Sequence, residues 1–479
     1  MSLPRYPEYK ASGVEWLGEV PGHWDVKRLR FVAELNPSKS EVAELDKETP
    51  VSFLPMDAIG DDGKLNLEYE KQIAEVETGY TFFRDGDVTV AKITPCFENG
   101  KGAVMRGLSQ GIGFGTTELI VARPIASQTC SDYLHALFTS VEFRKNGEGH
   151  MYGAGGQKRV PDDFVRNFAI AFPPVEEQQI IAAFLDRETG KIDALIAEQR
   201  RLVELLAEKR QAVISHAVTK GLNPNATMKD SGIEWLGVVP KHWEVKRLRF
   251  VAELNPSKSE VATLDKETLV SFLPMDAIGD DGRLNLEREK PIADVETGYT
   301  FFRDGDVTVA KITPCFENGK GAVMRGLTQG IGFGTTELIV ARPIASQVSS
   351  DYLHSLFTSV VFRKNGEGHM YGAGGQKRVP DDFVRNFEIA FPSIEEQQAI
   401  AAFLDTETSK FDTLTAEVNR AIALLQERRS ALISAAVTGK IDVRGYDFES
   451  ALAETRADVA AGRFVQESVE AHLARCITD

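Results

Sequence analysis

Three apolar, β-branched runs mark the first part of the chain: VSFLPM from Val51, DVTVAKI from Asp87 and ELIVARP from Glu118, each bounded by Gly, Asp or Pro. That composition and punctuation predict strands. SDYLHALFTSVEFRKN from Ser131 instead places apolar residues at Tyr133, Leu134, Leu137, Phe138 and Val141, a helical spacing. PDDF at Pro161 opens as a helix does, with proline and two acids at the positive end of the dipole, and FAIAFPP from Phe168 reads as a last short strand closed by Pro173 and Pro174. The period then changes. From Glu176 to about Val218, Gly190 is the sole Gly or Pro, and apolar residues recur at Leu185, Ile192, Leu206 and Val213, with Leu195 and Leu202 between them. This is a heptad stripe. Roughly 40 residues rising about 1.5 Å each make a rod of about 60 Å, too long to lie wholly against one small domain.

The whole pattern then repeats without a gap. Trp16 and Trp24 return as Trp235 and Trp243; RLRFVAELNPSKSEVA recurs from Arg28 at Arg247, GHMYGAGGQKRVPDDFVRNF from Gly149 at Gly368, and EEQQ from Glu176 at Glu395. A period this long is a domain with an attached element, far beyond a solenoid unit. The second stripe runs through Leu404, Phe411, Leu425 and Leu432, flanked by Leu414 and Ala421; Ser409 stands where the first has Gly190, so a bend there is not required by both. The expected organisation is a globular domain over residues 1–175, a long helix over 176–218, a second domain over 219–394, a second helix over 395–440, and an acidic tail over 441–479. The fold class is α/β (α+β): two duplicated mixed domains separated by a pair of long antiparallel coiled-coil helices. Chain length allows either direction for the pair, but two equivalent units pack most simply about a twofold axis, which runs the rods in opposite directions. The copies differ at Tyr69 against Arg288 and Ile180 against Ala399, and diverge most in the helices.

Composition narrows the class. With 479 residues and 42% hydrophobic content, two domains can bury cores without disulfides or metals. Neither a leader-like h-region nor a bilayer-length apolar run is present, which predicts a cytoplasmic protein without a membrane partner. Cys96 and Cys315 are copies, Cys130 and Cys476 are not, and none forms a CxxC pair, which argues against a disulfide framework or structural zinc. The net charge of −16 is awkward for a nucleic-acid binder, yet a basic groove can coexist with acidic helices and tail. In the tail, Phe448, Leu452, Val459, Phe464, Val469 and Leu473 would suit a further helix. No GxxxxGK[ST], GxGxxG, HExxH, GxSxG or Asn/Asp-Pro-Pro-aromatic motif occurs. The adjacent acids Asp61 and Asp62, or Asp162 and Asp163, read as solvated loops, not metal sites.

RVPDDFVRNFAIAFPPVEEQQIIAAFLD from Arg159 resembles the end of a target-recognition domain of Type I restriction-modification specificity subunits. GVEWLGEVPGHWDVKRLRFVAE from Gly13 and the GDVTVAKITP block resemble the same family, and the likeness covers nearly the whole chain, twice. It implies a non-catalytic subunit whose two domains read the halves of a split double-stranded DNA site. Modification subunits would dock on it and methylate adenine with S-adenosylmethionine; the symmetry of the repeats suggests two, one per repeat. Restriction subunits would add translocation and cleavage with ATP and Mg; this chain itself would need no cofactor. Most members carry two different recognition domains, whereas these are nearly the same, so the expected target is an interrupted inverted repeat. If the rods set the spacing, half-site centres lie about 34 Å apart, one DNA turn.

Such a domain needs cationic and amide side chains on loops. YGAGGQKRV supplies them: Tyr152, Gln157, Lys158 and Arg159, with Gly153, Gly155 and Gly156 allowing close approach, and the copy at Tyr371, Gln376, Lys377 and Arg378. The alternative is a solvated turn before the Pro161 helix. AKITPCFENGKG offers Lys92, Thr94, Asn99 and Lys101, repeated at Lys311, Thr313, Asn318 and Lys320, with a plain polar turn as the equal alternative. Arg106, Thr116 and Thr117 would flank the same surface. Lys27, Arg28 and Arg30, repeated at Lys246, Arg247 and Arg249, read as a solvated face, and Trp16 and Trp24 as core. The exposed faces of the rods, with Glu198, Arg200, Arg201, Glu204 and Lys209, would meet the modification subunits. Another class of function is a coiled-coil scaffold with duplicated protein- or peptide-binding domains, favoured by the acidic balance; a self-sufficient nuclease or methyltransferase lacks any motif.

Overall fold

The computed structural model describes residues 4–154, 156–373 and 375–446. Gly155, Gly374, Cys476 and the helix suggested by Phe448 to Leu473 lie outside the described residues. The chain forms two compact units, one made of residues up to 200 and from 419 onward, the other of residues 201–418.

In the first unit, Val88–Ala91 is buried at every residue and lies inside an antiparallel sheet ordered Ala33–Leu35, Leu119–Pro124, Val88–Ala91, Gly102–Val104. A second sheet is ordered Glu70–Gln72, Pro50–Leu54, Ile112–Gly115, Thr81–Arg84; its middle pair is parallel, Phe53 opposite Phe114, and the outer pairs antiparallel. The expected helix from Ser131 is two, Ser131–Thr139 and Val141–Glu148. Ser140 breaks it: its hydroxyl accepts from the Phe143 amide and so caps the second helix, a local bond that competes with helix continuation. Asp162–Asn167 follows Pro161, and Ala169–Phe172 pairs antiparallel with Asp25–Arg28. Trp24, Leu29, Tyr133, Leu137, Phe138 and Phe143 fill the main core. A side chain of this kind stabilises by about 1.5–3 kcal/mol when fully buried. The second unit repeats each of these elements with its own core around Trp243, Tyr352 and Phe362.

The two long helices span Val175–Lys220 and Ile394–Val437, the first running unbroken through Gly190. Each unit holds opposite halves of them. In the first unit, Ile181, Phe184 and Leu185 share a core with Ile433, Ala436 and Val437, and Arg429 Nε donates to Asp193 at 2.8 Å. In the second, Ile214, Ala217 and Val218 share a core with Ile400 and Leu404, and Arg210 lies 3.5 Å from Asp412. The pairing is therefore antiparallel in each unit. Leu185, Ile192, Leu206, Leu404 and Phe411 are buried as the stripe predicts, but Leu195 is exposed and Ile196 takes its place. A 3.6-residue helix drifts against a strict heptad, which shifts the buried edge by one position. Among the described residues no helix is long and apolar enough to cross a membrane, and no cluster of His, Cys, Asp and Glu could hold a metal ion.

The copies differ at helix caps, at Gln72 against Pro291 and at Cys130 against Ser349. Ser349 accepts from the Tyr352 amide at the start of Ser350–Thr358, whereas Cys130, in the same place before Ser131–Thr139, makes no side-chain cap. Cys130→Ser is expected to raise stability by about 0.5–1 kcal/mol, measured as a higher urea midpoint at unchanged slope. A lower midpoint would mean that packing of the half-buried sulfur outweighs the cap.

Candidate nucleic-acid interface

The strand Val88–Ala91 leaves its sheet at Lys92, and the chain there is stitched to the segment after Tyr152. The Lys92 amide donates to Glu118 O and its carbonyl accepts from Val160 N, both at 2.8 Å; Ile93 bridges Arg159; Thr94 donates to Lys158 O from its amide at 3.0 Å and its hydroxyl at 3.1 Å. Residues 95–100 then turn tightly, Asn99 N donating to Pro95 O and Gly100 N to Phe97 O, and the chain re-enters the sheet at Gly102. The two loops read separately in the sequence are thus one surface.

The second loop is closed by reciprocal bonds between Tyr152 and Arg159, at 3.1 and 2.9 Å. Gly153 makes that closure possible. It sits at φ +137°, and a Cβ there would stand 2.5 Å from Gln157 O, so any side chain would force the loop open. Gly372 repeats this with φ +136° and 2.5 Å to Gln376 O. Beyond the glycine, Gln157 and Lys158 are exposed, and Tyr152 is 62% exposed.

The cations of the surface are not equivalent. Arg159 is committed inward: Nη2 and Nε donate to Glu118 at 2.7 and 2.9 Å, and that bonding holds the Glu118 carboxyl below its usual range. Lys101 is largely covered, 3.8 Å from Asp61, and Lys92 lies 3.9 Å from Asp162. Lys158 is exposed and has no carboxylate partner among the described residues. Arg106 is held by Asp132 at 2.7 Å, and the Thr116 hydroxyl accepts from Glu118 N.

The second unit reproduces the arrangement. Arg378 donates to Glu337 at 2.7 Å, Lys311 and Lys320 lie 3.8 and 3.5 Å from Asp381 and Asp280, and Thr313 N donates to Lys377 O at 2.9 Å. Its hydroxyl adds a bond from Lys377 N at 2.8 Å and one to Gly375 O at 3.0 Å. Tyr371, Gln376, Lys377 and Asn318 are exposed, as Asn99 is in the first unit. Each unit therefore presents a hydrogen-bonded polar base carrying one exposed lysine, two exposed amides and one exposed tyrosine. These are donors, acceptors and an aromatic face of the kind that base edges and phosphates accept.

Two roles escaped the sequence. Glu118 and Glu337 orient the loop arginines from turns far away in the chain, each just before a strand. The EEQQ motif, read only as a helix start, clamps the helix to its domain: Gln178 is fully buried, its carbonyl accepting from Thr129 Oγ1 and Cys130 N and its amide donating to Gln128 O and Pro173 O. Trp24 and Trp243 are core, as expected, while Trp16 stacks half-buried on Phe168 at 5.1 Å.

Comparison with known proteins agrees with this duplicated geometry. The family model described as "Type I restriction modification DNA specificity domain" matches residues 21–205 and again 240–423. The chain is 44% identical over 193 residues to the Type I restriction enzyme EcoAI specificity subunit of Escherichia coli, covering 40% of this chain and 32% of that protein. It thus spans about a third of that relative's length. Over a longer stretch it is 24% identical to the MjaVIII specificity subunit of Methanocaldococcus jannaschii, covering 65% and 71% of the two chains. A chain solved in work on complex assembly and conformational transition of the type I R-M system shares the fold, with TM-score 0.67 and 18% identity over 87% of this chain and 98% of that one. With two family matches that together span most of its length, the chain belongs to the Type I restriction-modification DNA specificity family and carries that family's domain twice.

Proposed function

We propose that this chain is the specificity subunit of a Type I restriction-modification enzyme. It binds a bipartite double-stranded DNA target and directs methylation of adenine, and cleavage, by partner subunits in the cytoplasm. Modification subunits, two per chain, carry S-adenosylmethionine, and restriction subunits carry ATP and Mg; this chain makes and breaks no bond. The observation that carries the reading is the duplication of the specificity domain with the same exposed Tyr, Gln and Lys on the same glycine-closed loop in each copy. Identical reading surfaces favour identical half-sites, read on opposite strands as an interrupted inverted repeat.

The test is adenine-methylation mapping by long-read sequencing of a genome expressing this chain with its modification subunit. An interrupted palindrome methylated on both strands is the expected result. An asymmetric split motif would overturn the inverted-repeat assignment, and the absence of any motif would overturn DNA recognition and leave the scaffold reading.

A further inference from the structure

The turn Leu29–Phe31 sends Leu29 into the core and leaves Phe31 58% exposed; in the second unit Leu248 is buried and Phe250 is 59% exposed. A neighbouring isoleucine is exposed beside each phenyl. Ile125 N donates to Val32 O, and Ile344 N to Val251 O, both at 2.9 Å. In the second unit Val245 joins them, and Phe250, Ile344 and Val245 line an open depression of 610 Å³ edged by Lys246, Arg247 and Glu388. Exposed apolar side chains scattered singly need no explanation, but an aromatic and an aliphatic grouped in the same place on both units do.

We propose that these two patches are protein-docking faces, each taking one modification subunit through a surface that is apolar at its centre and acidic at its edge. The proposal rests on the function proposed above and assigns the surface that serves it. The rim sets the chemistry of the partner. Lys27, Arg28 and Arg30 flank Phe31 in the chain, and Lys246, Arg247 and Arg249 flank Phe250; Asp25 lies 3.5 Å from Lys27, and Glu244 and Glu388 lie 2.8 and 2.6 Å from Lys246 and Arg247, so cations still outnumber these acids at each rim on a chain of net charge −16. An acidic edge on the partner complements them, and steers the encounter.

DNA is the less fitting occupant. Local partners fix the rim cations around the patch edge, Lys27 Nζ on Gln128 at 3.0 Å, Arg30 on Asn167 at 2.8 Å and Arg247 on Glu388 at 2.6 Å, so it is the apolar centre and not the rim that disfavours DNA. Arg30 and Arg249 also stack over the phenyl rings at 4.9 and 5.0 Å, which fixes an aromatic and a guanidinium together as an anchor. Such pairs are enriched at the energetic centres of protein interfaces. Phosphates offer no partner for the exposed phenyl, isoleucine and valine. Where Ala169 replaces Glu388, Arg28 has no ion-pair partner among the described residues, so the first unit's patch has one more free cation than the second.

The full-length chain, coexpressed with its modification subunit, is weighed by native mass spectrometry as wild type, Phe31→Ser, Phe250→Ser and the double variant. A wild-type complex with two modification subunits, one in each single variant and none in the double variant supports the proposal, with the affected site weakened roughly tenfold or more. Because serine substitution could also disturb the turn, Arg30→Glu with Arg249→Glu keeps the rings and reverses the rim; loss of both subunits at an unchanged thermal midpoint supports docking independently. Two subunits retained in both double variants overturn the proposal, and retention with lost target binding assigns the patches to DNA instead. A wild-type chain that takes up no modification subunit overturns the proposed function, and this assignment with it.

Discussion

Reversing charge at both loop tips, Lys158→Glu with Lys377→Glu, is expected to lower target affinity of the assembled methyltransferase by about a hundredfold, with target methylation falling accordingly. Each lysine projects from a loop that its own backbone bonds hold closed, and each is exposed without a carboxylate partner among the described residues. Losing one charge-assisted contact costs on the order of 1–3 kcal/mol, and a reversed charge adds repulsion from phosphate. Either single variant should lose roughly tenfold, since only one half-site is affected. Binding is read by fluorescence anisotropy at one fixed salt concentration, because phosphate contacts change strength with salt. The thermal midpoint should hold, as neither side chain is buried. Arg159→Ala provides the contrast: it strips Glu118 of a bidentate partner and should lower stability as well as binding. Wild-type affinity in the double lysine variant would remove these loops from the DNA interface.

That contrast also shows which parts of the molecule local sequence can carry. Val88–Ala91, Leu119–Pro124 and the two long helices are periodic over their own length, and residue spacing alone identifies them. Tyr152, Gln157 and Lys158 were legible for the same reason, lying together on one glycine-rich loop. Arg159 looked equivalent to Lys158, yet its guanidinium faces inward because Glu118, in the turn just before Leu119–Pro124 and 41 residues earlier, ends up beside it. Lys101 was likewise counted as available, although the turn that returns it to the sheet leaves it largely covered. Ser140 could not be told from an ordinary helical serine until its hydroxyl was seen to cap the next helix. Partners distant in the chain decided each of the first two cases, and a choice between two local hydrogen bonds decided the third.

The same long-range logic makes Glu177 a carboxylate whose loss should cost the first unit heavily. Its Oε1 accepts from Tyr6 Oη at 2.7 Å and Trp24 Nε1 at 3.0 Å, and its Oε2 lies 2.7 Å from His23 Nε2. Burial, and then this bond, hold the Tyr6 hydroxyl far above its ordinary pKa, so it stays a donor at every accessible pH. Glu177→Ala orphans two buried donors and loosens the start of the first long helix; a loss of about 3 kcal/mol is expected. Its copy Glu396 keeps Trp243 Nε1 at 3.2 Å and His242 at 2.7 Å, but Asn225 stands in register with Tyr6, and the carboxylate is more exposed. Glu396→Ala should therefore cost only about 1–2 kcal/mol. Urea unfolding of the two variants measures the difference. Adding Tyr6→Phe to Glu177→Ala should recover part of the loss, because the orphaned hydroxyl is removed, and the double-mutant cycle gives the coupling directly. Equal losses at the two glutamates would mean that the Tyr6 bond contributes nothing, and that the helix is held to its domain by Gln178 and apolar packing alone.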